Sequence, residues 1–316
     1  MSGFKAKTIK SVIRKKIDQW LETIEDIPLR ERVAKNTIVT GGSITSMLLG
    51  EDVNDFDLYM RDHDTTLRLA NYYVEKFISR KQKGIPTPMS VQDTDGRVKI
   101  VVKSAGIASS TGTEKPYEYF EGAPDSSAAA YIGDIIADPE KIEDTYQEIE
   151  EKALATEGES KNKYKPLFLT TNAITLSDKI QIVLRFYGEP DKIHENYDFV
   201  HCTCYWTSWN NELVLRPEAL EAMLAKELKY IGSKYPLCSM VRVRKFVQRG
   251  WKINAGQILK MAMQISQLDL TNLSILEDQL TGVDTAYFLQ LIQNLKDKDP
   301  EKVNAAYLIE IVDRIF

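Results

Sequence analysis

Residues 41–60 read GGSITSMLLGEDVNDFDLYM, and this stretch decides the fold. It follows NTIVT (36–40), a short apolar run that is typical of a strand. The segment after the glycines predicts a short helix that is capped by Ser43 and ends at Gly50. DFDLYM (55–60) then alternates polar and apolar residues, which predicts a second strand. We therefore expect a strand, a glycine turn, a short helix and a strand in succession.

The glycine pair and Ser43 have the composition of a small phosphate-binding turn. Gly41 and Gly42 allow backbone N–H groups to approach an anion closely, and the start of the following helix adds a favourable partial charge. The hydroxyl of Ser43 supplies one more donor. A Gly-Gly-Ser turn is also common as a plain turn, so the interpretation depends on the residues that accompany it.

Asp55 and Asp57 form a pair of acids on the second predicted strand. Residues two apart on a strand face the same side, so the two carboxylates project together while Phe56 and Leu58 point into the core. Close carboxylates repel each other unless a positive charge lies between them. Oxygen ligands suit Mg²⁺, which proteins commonly bind through one or two carboxylates together with substrate phosphates.

The combination of glycine turn, short helix and paired acids resembles the polymerase-beta-like nucleotidyltransferases. The residues that carry the resemblance are Gly41, Gly42, Ser43, Asp55 and Asp57. The resemblance covers residues 38–60 well and 167–206 more loosely. It implies two metal ions (Mg²⁺ or Mn²⁺), a nucleoside triphosphate substrate, and transfer of a nucleoside monophosphate to an acceptor hydroxyl with release of pyrophosphate.

The resemblance also implies a third carboxylate on a later strand, for which we choose Asp198. Asp198 lies in a predicted apolar strand at 197–206, between Tyr197 and Phe199. An acid on an apolar strand is costly to bury without a partner, and a bound metal ion would be such a partner. The alternative is a structural acid that caps a neighbouring turn. Rival acids in predicted turns are Asp93, Asp95 and Asp178.

Two basic side chains flank the predicted strand KIQIVLRF (179–186), and each is a candidate contact for the triphosphate. Of Lys179 and Arg185, we favour Arg185 as the nucleotide-binding residue.

A basic region in the C-terminal part is the candidate surface for the acceptor. Residues 226–260 contain nine Lys or Arg and one acid, and helical spacing places Arg242, Lys245 and Arg249 along one side. Such a patch suits the phosphates of a triphosphate or of an RNA backbone, although a solvated helix face is the plain alternative. RKFVQRGW (244–251) also resembles, over a short length, the helices that follow the catalytic domain in tRNA CCA-adding enzymes.

The function predicted from these residues is a two-metal nucleotidyltransferase whose acceptor is an RNA or tRNA 3′ end. Transfer to a protein or a small molecule is one alternative. A nucleotide-binding or host-interaction protein that has the fold without turnover is another. Residues 180–206 and 244–260 also resemble uncharacterised proteins of tailed bacteriophages, which implies a viral origin and action in the host cytoplasm.

Composition bounds the remaining possibilities. The 316-residue chain has a net charge of −5, which argues against a surface that coats nucleic acid everywhere but not against a local basic groove. Three cysteines give no disulfide framework and fit a reducing cytoplasm. No apolar run of the roughly 18–20 residues that span a bilayer is present, so we expect no membrane association. HCTC (201–204) places only two ligands on one strand face, so we expect core cysteines rather than zinc.

The predicted organisation is an α/β (α+β) nucleotidyltransferase-type mixed sheet with flanking helices, followed by an all-helical domain. We place the catalytic domain at 1–212 and the helical domain at 213–316. Residues 104–160 contain fourteen acids and three basic residues, and we interpret them as an insertion between strands. The sequence does not indicate the oligomeric state.

Overall fold

The structure is a computed structural model that describes residues 3–80, 89–102, 163–169 and 172–270, together with positions 272, 275 and 279. The predicted acidic insertion lies outside the described residues, and so do the helices predicted beyond residue 270, apart from those three positions. None of the described helices combines the length and the apolar character needed to cross a lipid bilayer.

The described helices and strands alternate through the first two thirds of the chain and give way to helices after residue 214. The helices are α1 (Ala6–Glu22), α2 (Ile27–Ala34), α3 (Gly42–Leu49), α4 (His63–Arg80), α5 (Pro190–His194), α6 (Pro217–Ala225), α7 (Pro236–Gln248) and α8 (Ala255–Ile265). The strands are β1 (Thr37–Thr40), β2 (Phe56–Met60), β3 (Met89–Thr94), β4 (Arg97–Val102), β5 (Pro166–Leu169), β6 (Ala173–Leu176), β7 (Ile180–Val183), β8 (Tyr205–Thr207) and β9 (Glu212–Val214).

Seven of the described strands form one mixed sheet in the order β5-β6-β7-β2-β1-β8-β9. Neighbouring strands are antiparallel except for β2 and β7, which are parallel. The strands β3 and β4 form a separate hairpin. The predicted fold class, a mixed α/β sheet with flanking helices followed by helices, is confirmed.

The central strands β1 and β2 are largely buried, and most of their residues are apolar. All four residues of β1 are buried, and Leu58 and Met60 of β2 have no exposed surface. The amphipathic helix α1 contributes an apolar side to this core through Ile9, Ile13 and other residues that recur every three or four positions. Burial of this many large aliphatic side chains is the main favourable term in folding.

Three local predictions differ from the structure. The helical pattern predicted over 7–35 is divided into α1 and α2, because Asp26 caps a new helix by accepting from the Leu29 N–H and Pro28 occupies its first turn. Of the strand predicted over 197–206, the structure contains only the short strand β8, which begins at Tyr205. A bend and a short 3₁₀ helix at Val200–Cys202 precede it. The segment predicted over 167–176 is a hairpin of β5 and β6, not one strand.

The described residues divide into two compact units. The first contains the large sheet and continues to His194, and it also contains Cys202–Ala219; the second contains Glu195–His201 and the described residues from Leu220 onward. Backbone hydrogen bonds attach the short segment to the second unit, since Val200 N donates to Lys229 O and Ile231 N donates to Asp198 O. The boundary that we predicted after residue 212 stays a prediction.

Candidate functional site

The glycine turn lies at the end of β1 and begins α3. Gly41 has φ 97° and ψ −152°, a conformation that L side chains rarely adopt, so glycine is required there. Its N–H donates to Cys202 O at 3.1 Å, which fixes the turn against the loop before β8. A Cβ added at Gly42 would meet no atom within 4 Å, so open space lies beside the start of the helix.

The start of α3 has no side-chain cap and no acid in its first turn. The prediction that Ser43 caps this helix is wrong: the N-cap is Gly41, and Ser43 lies inside the first turn. Its side chain is 3% exposed, and its Oγ has no hydrogen-bond partner among the described residues. A buried hydroxyl without a partner costs free energy, and together with uncapped N–H groups it makes this helix start suited to an anion.

The paired acids lie at the same end of the sheet as the glycine turn. Asp57 lies on β2 directly opposite Thr40, the residue before Gly41, and Asp55 immediately precedes the strand. Directly opposed residues of antiparallel strands share a face with Cβ atoms about 4.5–5.5 Å apart. Asp55 is exposed and Asp57 is half-buried, so both carboxylates are accessible to a ligand. The structure therefore brings Gly41, Asp55 and Asp57 to one end of the sheet.

A buried histidine lies behind this end of the sheet, which the sequence analysis missed. The sequence predicts His194 to be a surface residue near a helix start, and this is wrong: His194 is 7% exposed, and its Nε2 lies 2.8 Å from Thr40 Oγ1. Its Nδ1 lies 3.2 Å from Arg216 Nη2, and Arg216 also pairs with Asp191. No sequence signal identifies this arrangement. Thr40 is 154 positions from His194, and Arg216 is 22 positions from it, so only the tertiary fold brings the three side chains together.

The directions of these hydrogen bonds follow from the donors available. A guanidinium only donates, so Nδ1 of His194 accepts from Arg216 and the ring proton is on Nε2. Nε2–H then donates to Thr40 Oγ1, and the Thr40 hydroxyl donates to Cys204 O at 2.9 Å. Burial first, and then the Arg216 charge, lower the pKa of His194 to about 4, against a smaller opposing effect of Asp191. The neutral ring therefore fixes Thr40, and with it the end of β1, at neutral pH.

Asp198 lies in the second unit, where it pairs with a base. Its Oδ2 accepts from Arg242 Nη1 at 2.6 Å, and its Oδ1 accepts from the Phe199 N–H at 3.0 Å. The Asp198 side chain is 10% exposed and that of Arg242 is 40% exposed. The guanidinium supplies the positive partner that we had expected from a metal ion. These contacts favour a structural role, and the role as third metal ligand stays a prediction.

The strand register favours Lys179 over Arg185 as the basic residue beside the acids. Phe56 N donates to Lys179 O at 2.8 Å, and Lys179 Nζ donates to Val53 O at 3.0 Å. Asp57 is opposite Gln181 on β7, and Arg185 lies four residues further along the chain, beyond the end of β7 at Val183. Because β2 and β7 are parallel, this displacement is away from Asp55, and the register does not support the choice of Arg185.

One residue of the predicted acceptor surface has a structural contact. Arg242 lies in the middle of α7, Lys245 in its last turn and Arg249 just after its end, where it is exposed. The Arg242 guanidinium is held by Asp198, so this side chain has a structural contact that the sequence pattern does not indicate. The prediction that these three residues bind an acceptor stays a prediction.

His201 and the cysteines lie in packed interiors. The His201 ring has no exposed surface; it lies 4.1 Å from the Trp251 ring centroid and 4.7 Å from that of Phe246. Burial lowers its pKa to about 4, against the opposing charge of Asp198. Cys204 and Cys238 are buried free thiols, and Cys202 is half-buried. The expectation of core cysteines therefore holds for Cys204 and Cys238, and His201 is a buried residue that was not predicted to be one.

The donor set at the glycine turn fits a magnesium–triphosphate complex. Across the part of the chain that the structure describes, no three His, Cys, Asp or Glu side chains form a group that could hold a metal ion. Mg²⁺ does not require such a cage, because it is commonly held by one or two carboxylates with water and substrate phosphates. Asp55 and Asp57 would supply those carboxylates, and the unpartnered Ser43 hydroxyl would supply a contact for a phosphate.

The fold and the site define a mixed α/β protein in which the uncapped start of α3 lies at the same end of the sheet as Asp57 on the neighbouring strand and Asp55 just before it. Comparison of sequences then assigns the family. The Gabija anti-defense 2 family matches residues 11–226, more than half of the chain, and the chain belongs to this family. The protein "Gabija anti-defense 2" of Bacillus phage SPbetaL7 is 22% identical over 123 residues, which are 38% of this chain and 31% of that protein.

Solved structures of CCA-adding enzymes are similar at low sequence identity. The CCA-adding enzyme of Thermotoga maritima complexed with tRNA is 12% identical, with a TM-score of 0.36 over 93% of this chain and 53% of that one. A CCA-adding enzyme in complex with CTP is also 12% identical, with a TM-score of 0.42 over 96% of this chain and 52% of that one. The chain thus spans about half the length of these enzymes.

Proposed function

We propose that this chain is a metal-dependent nucleotidyltransferase that uses a nucleoside triphosphate and contributes to counteracting Gabija defence. The observation that carries the enzymatic part is that the uncapped start of α3 lies at the same end of the sheet as Asp57 on β2 and Asp55 just before it. The observation that carries the biological part is membership of the Gabija anti-defense 2 family.

The start of α3 would bind the triphosphate. The start of α3 has no side-chain cap, and phosphate oxygens would accept from the backbone N–H groups of its first turn, beside the open space at Gly42. The Ser43 hydroxyl would gain the partner that it lacks. The exposed Lys179 side chain lies at the same end of the sheet and would add a positive charge near the phosphates.

Asp55 and Asp57 would hold the Mg²⁺ that accompanies the triphosphate. Bound Mg²⁺ supplies a Lewis acid that favours ionisation of the attacking hydroxyl and offsets negative charge on the leaving group. In the transfer itself, the acceptor oxygen forms a bond to the α-phosphorus, the bond from that phosphorus to the bridging oxygen breaks, and pyrophosphate leaves. The hydroxyl proton is released to solvent. The His194–Thr40 hydrogen bond would keep β1 in position while this occurs.

The acceptor that we propose is a hydroxyl of an RNA 3′ end. The basic composition of residues 226–260 supports a polyanionic acceptor over a neutral small molecule. A protein side chain is the alternative acceptor, and an assay with both RNA and protein separates them.

A nucleotide-binding protein without turnover is a second candidate, and a specific observation favours it. Within the described residues, Asp198 is engaged by Arg242 and no third carboxylate joins Asp55 and Asp57 in a metal-binding group. Such a protein would bind Mg²⁺ and a triphosphate at the same residues but would transfer no label.

The enzymatic proposal is tested with purified protein, Mg²⁺ and each α-³²P-labelled nucleoside triphosphate, in separate reactions with total bacterial RNA and total bacterial protein. Label that enters either acceptor, and that fails to enter it with Asp57→Asn, supports nucleotidyl transfer. Binding of the triphosphate without transfer to any acceptor supports the second candidate.

The biological proposal is tested by expressing the chain in bacteria that carry a Gabija defence and measuring phage plating. The proposal predicts that plating is restored by the unchanged chain and not by the Asp57→Asn variant. Restoration by both proteins would separate the anti-defense role from the proposed chemistry.

A further inference from the structure

A strongly basic surface lies on α1, far along the chain from the basic region of residues 226–260. Residues 3–17 contain six Lys or Arg and no acid, in a chain of net charge −5. Helical spacing places Lys7, Lys10 and Arg14 on one stripe, which is about 10 Å long at 1.5 Å per residue. We call Lys5, Lys7, Lys10, Arg14 and Lys15 the α1 basic surface.

Most of this charge is available to a partner. Lys5, Lys7 and Lys15 are exposed, and no ion pair joins them or Lys10 to any described acid. Only Arg14 is paired, through its Nε to Asp18. Lys16 differs from these residues because its ammonium lies over the rings of Phe56 and Tyr164, at 5.4 and 5.5 Å.

A cavity adjoins the α1 basic surface. It has a volume of about 490 Å³ and lies between Lys7 and Lys10 on one side and the turn from Asn210 to Leu213 on the other. The Asn211 Oδ1 accepts from Trp206 Nε1, which leaves the Asn211 amide N–H group as a donor toward solvent. The acid of the turn, Glu212, accepts from Asn210 Nδ2 at 2.8 Å. Donors therefore predominate around a cavity of the size that binds small ligands.

We propose that the α1 basic surface and this cavity bind the phosphate backbone of single-stranded nucleic acid. Electrostatic contacts from several lysines are the sequence-independent part of nucleic-acid binding, and each contact releases counterions. The side chain of Phe4, just before α1, is 48% exposed and is available to stack on a base. This proposal concerns binding at a second surface, whereas the proposed function is a transfer reaction at the glycine turn. It therefore goes beyond the proposed function.

The composition of the surface favours nucleic acid over an acidic protein. Protein interfaces are depleted in lysine and draw their affinity from buried aromatic and arginine anchors, whereas four of the five cations here are lysines. The position of the cavity favours a polymer over a single nucleotide. The strand β9, which borders the cavity, is three strands from β2 in the sheet, or about 14 Å at the usual strand spacing. A ligand that reaches from the cavity to the acids at β2 would have to span this distance.

The test is fluorescence anisotropy of a 5′-labelled, mixed-sequence RNA 20-mer as a function of salt, with single-stranded DNA and duplex RNA of the same sequence as separate arms. The α1 variant replaces Lys7, Lys10 and Lys15 by Gln. A matched control makes the same three-charge change at Lys35, Lys163 and Lys192, which are exposed lysines outside both the α1 basic surface and residues 226–260. A second form of the α1 variant replaces the same three lysines by Arg.

We expect the unchanged protein to bind the single strands, and the Gln variant of α1 to bind at least tenfold more weakly at 0.1 M salt. The slope of log K against log salt should fall by about 2, since each lost contact to a single strand removes roughly 0.7. The Arg variant should bind like the unchanged protein, and the control should change less than twofold. Asn211→Asp, which adds a negative charge to the cavity without a change of shape, should weaken binding about threefold.

Four outcomes would overturn the proposal: no measurable binding by the unchanged protein, equal affinity in the Gln variant, an equal loss in the control, or equal affinity for polyglutamate and RNA. Preferential binding of the duplex would overturn the choice of single strands. A transfer assay with no activity would leave these measurements unaffected, so the two proposals fail separately.

Discussion

Asp57 and Asp198 were both predicted to bind metal, and the structure gives them different surroundings. Asp57 is a half-buried residue on β2, opposite Thr40 and next to the glycine turn. Asp198 is buried, accepts from the Phe199 N–H and forms a 2.6 Å ion pair with Arg242. The sequence context was similar, since each acid is flanked by an aromatic residue in an apolar segment.

The difference lies in what partners each carboxylate has within the described residues. A buried carboxylate needs positive charge and hydrogen bonds, and the protein itself supplies both to Asp198. Around Asp57, the protein supplies an uncapped helix start and the buried Ser43 hydroxyl, groups that favour an anionic ligand. We therefore expect substitution of Asp57 to change chemistry and substitution of Asp198 to change stability.

The largest expected effect is that of Asp57→Asn on transfer. Loss of one carboxylate from the metal-binding pair should lower the transfer rate about 10³-fold, or about 4 kcal/mol of transition-state stabilisation. The midpoint of urea unfolding should stay close to that of the unchanged protein, because Asp57 is not part of the apolar core. Transfer within tenfold of the unchanged protein would remove Asp57 from the site.

Asp198→Ala should lower the free energy of unfolding by about 2–3 kcal/mol, because Arg242 loses its partner and the Phe199 N–H loses its acceptor. The partial exposure of Arg242 keeps the cost below that of a fully buried pair. Urea denaturation followed by circular dichroism measures the change, and Asp198→Asn is the milder control. An unchanged unfolding midpoint would contradict the structural role.

Acid should destabilise the protein through its two buried histidines. The folded pKa values of His194 and His201 are about 4, below the ordinary 6.5, so the unfolded chain binds more protons between these values. Their contribution is complete above pH 6.5 and is lost as the pH falls toward 4, by about 1.4 kcal/mol per pH unit for each histidine. Urea denaturation from pH 7.5 to 4.5 measures this loss. His194→Gln should reduce the pH dependence, and an unchanged profile would show that His194 is not the titrating group.

Ser43→Ala should have the smallest effect of these substitutions. It should weaken nucleotide binding while leaving the stability of the fold unchanged or slightly raised. The variant removes a buried hydroxyl that has no described partner, so the free energy of unfolding should be unchanged or rise by up to about 1 kcal/mol. Affinity for a nucleoside triphosphate with Mg²⁺ should fall about threefold to tenfold, the net worth of one typical hydrogen bond. Isothermal titration calorimetry measures the affinity, and an equal affinity would exclude Ser43 from the binding site.

The sequence predicted the parts of this site that are close together along the chain. The strand, glycine turn, helix and strand of residues 36–60 are local, and their order brings Gly41 and Asp57 to one end of the sheet. Asp198 was misplaced because the segment after residue 197 pairs with residues 229–231 rather than continuing as a strand. Such a pairing depends on the tertiary fold, and an apolar segment alone does not indicate it.

His194 and Lys179 illustrate the same limit. The contact of His194 with Thr40 joins residues 154 positions apart, and the parallel pairing of β2 with β7 decides which end of the strand faces the acids. Strand order and register are long-range properties, so the sequence pattern could not show which of Lys179 and Arg185 lies nearer to Asp55 and Asp57, and the choice of Arg185 stays a prediction. The fold class was predictable because it depends on the alternation of apolar strands and amphipathic helices.

The measurement that tests the central claim most directly is a side-by-side transfer assay of the unchanged protein, Asp57→Asn and Asp198→Asn, each normalised to its folded fraction. The reactions contain Mg²⁺, α-³²P-labelled nucleoside triphosphates and either bacterial RNA or bacterial protein. The account predicts label transfer by the unchanged protein and by Asp198→Asn, and none by Asp57→Asn. Undiminished transfer by Asp57→Asn, or its complete loss in folded Asp198→Asn, would contradict the account.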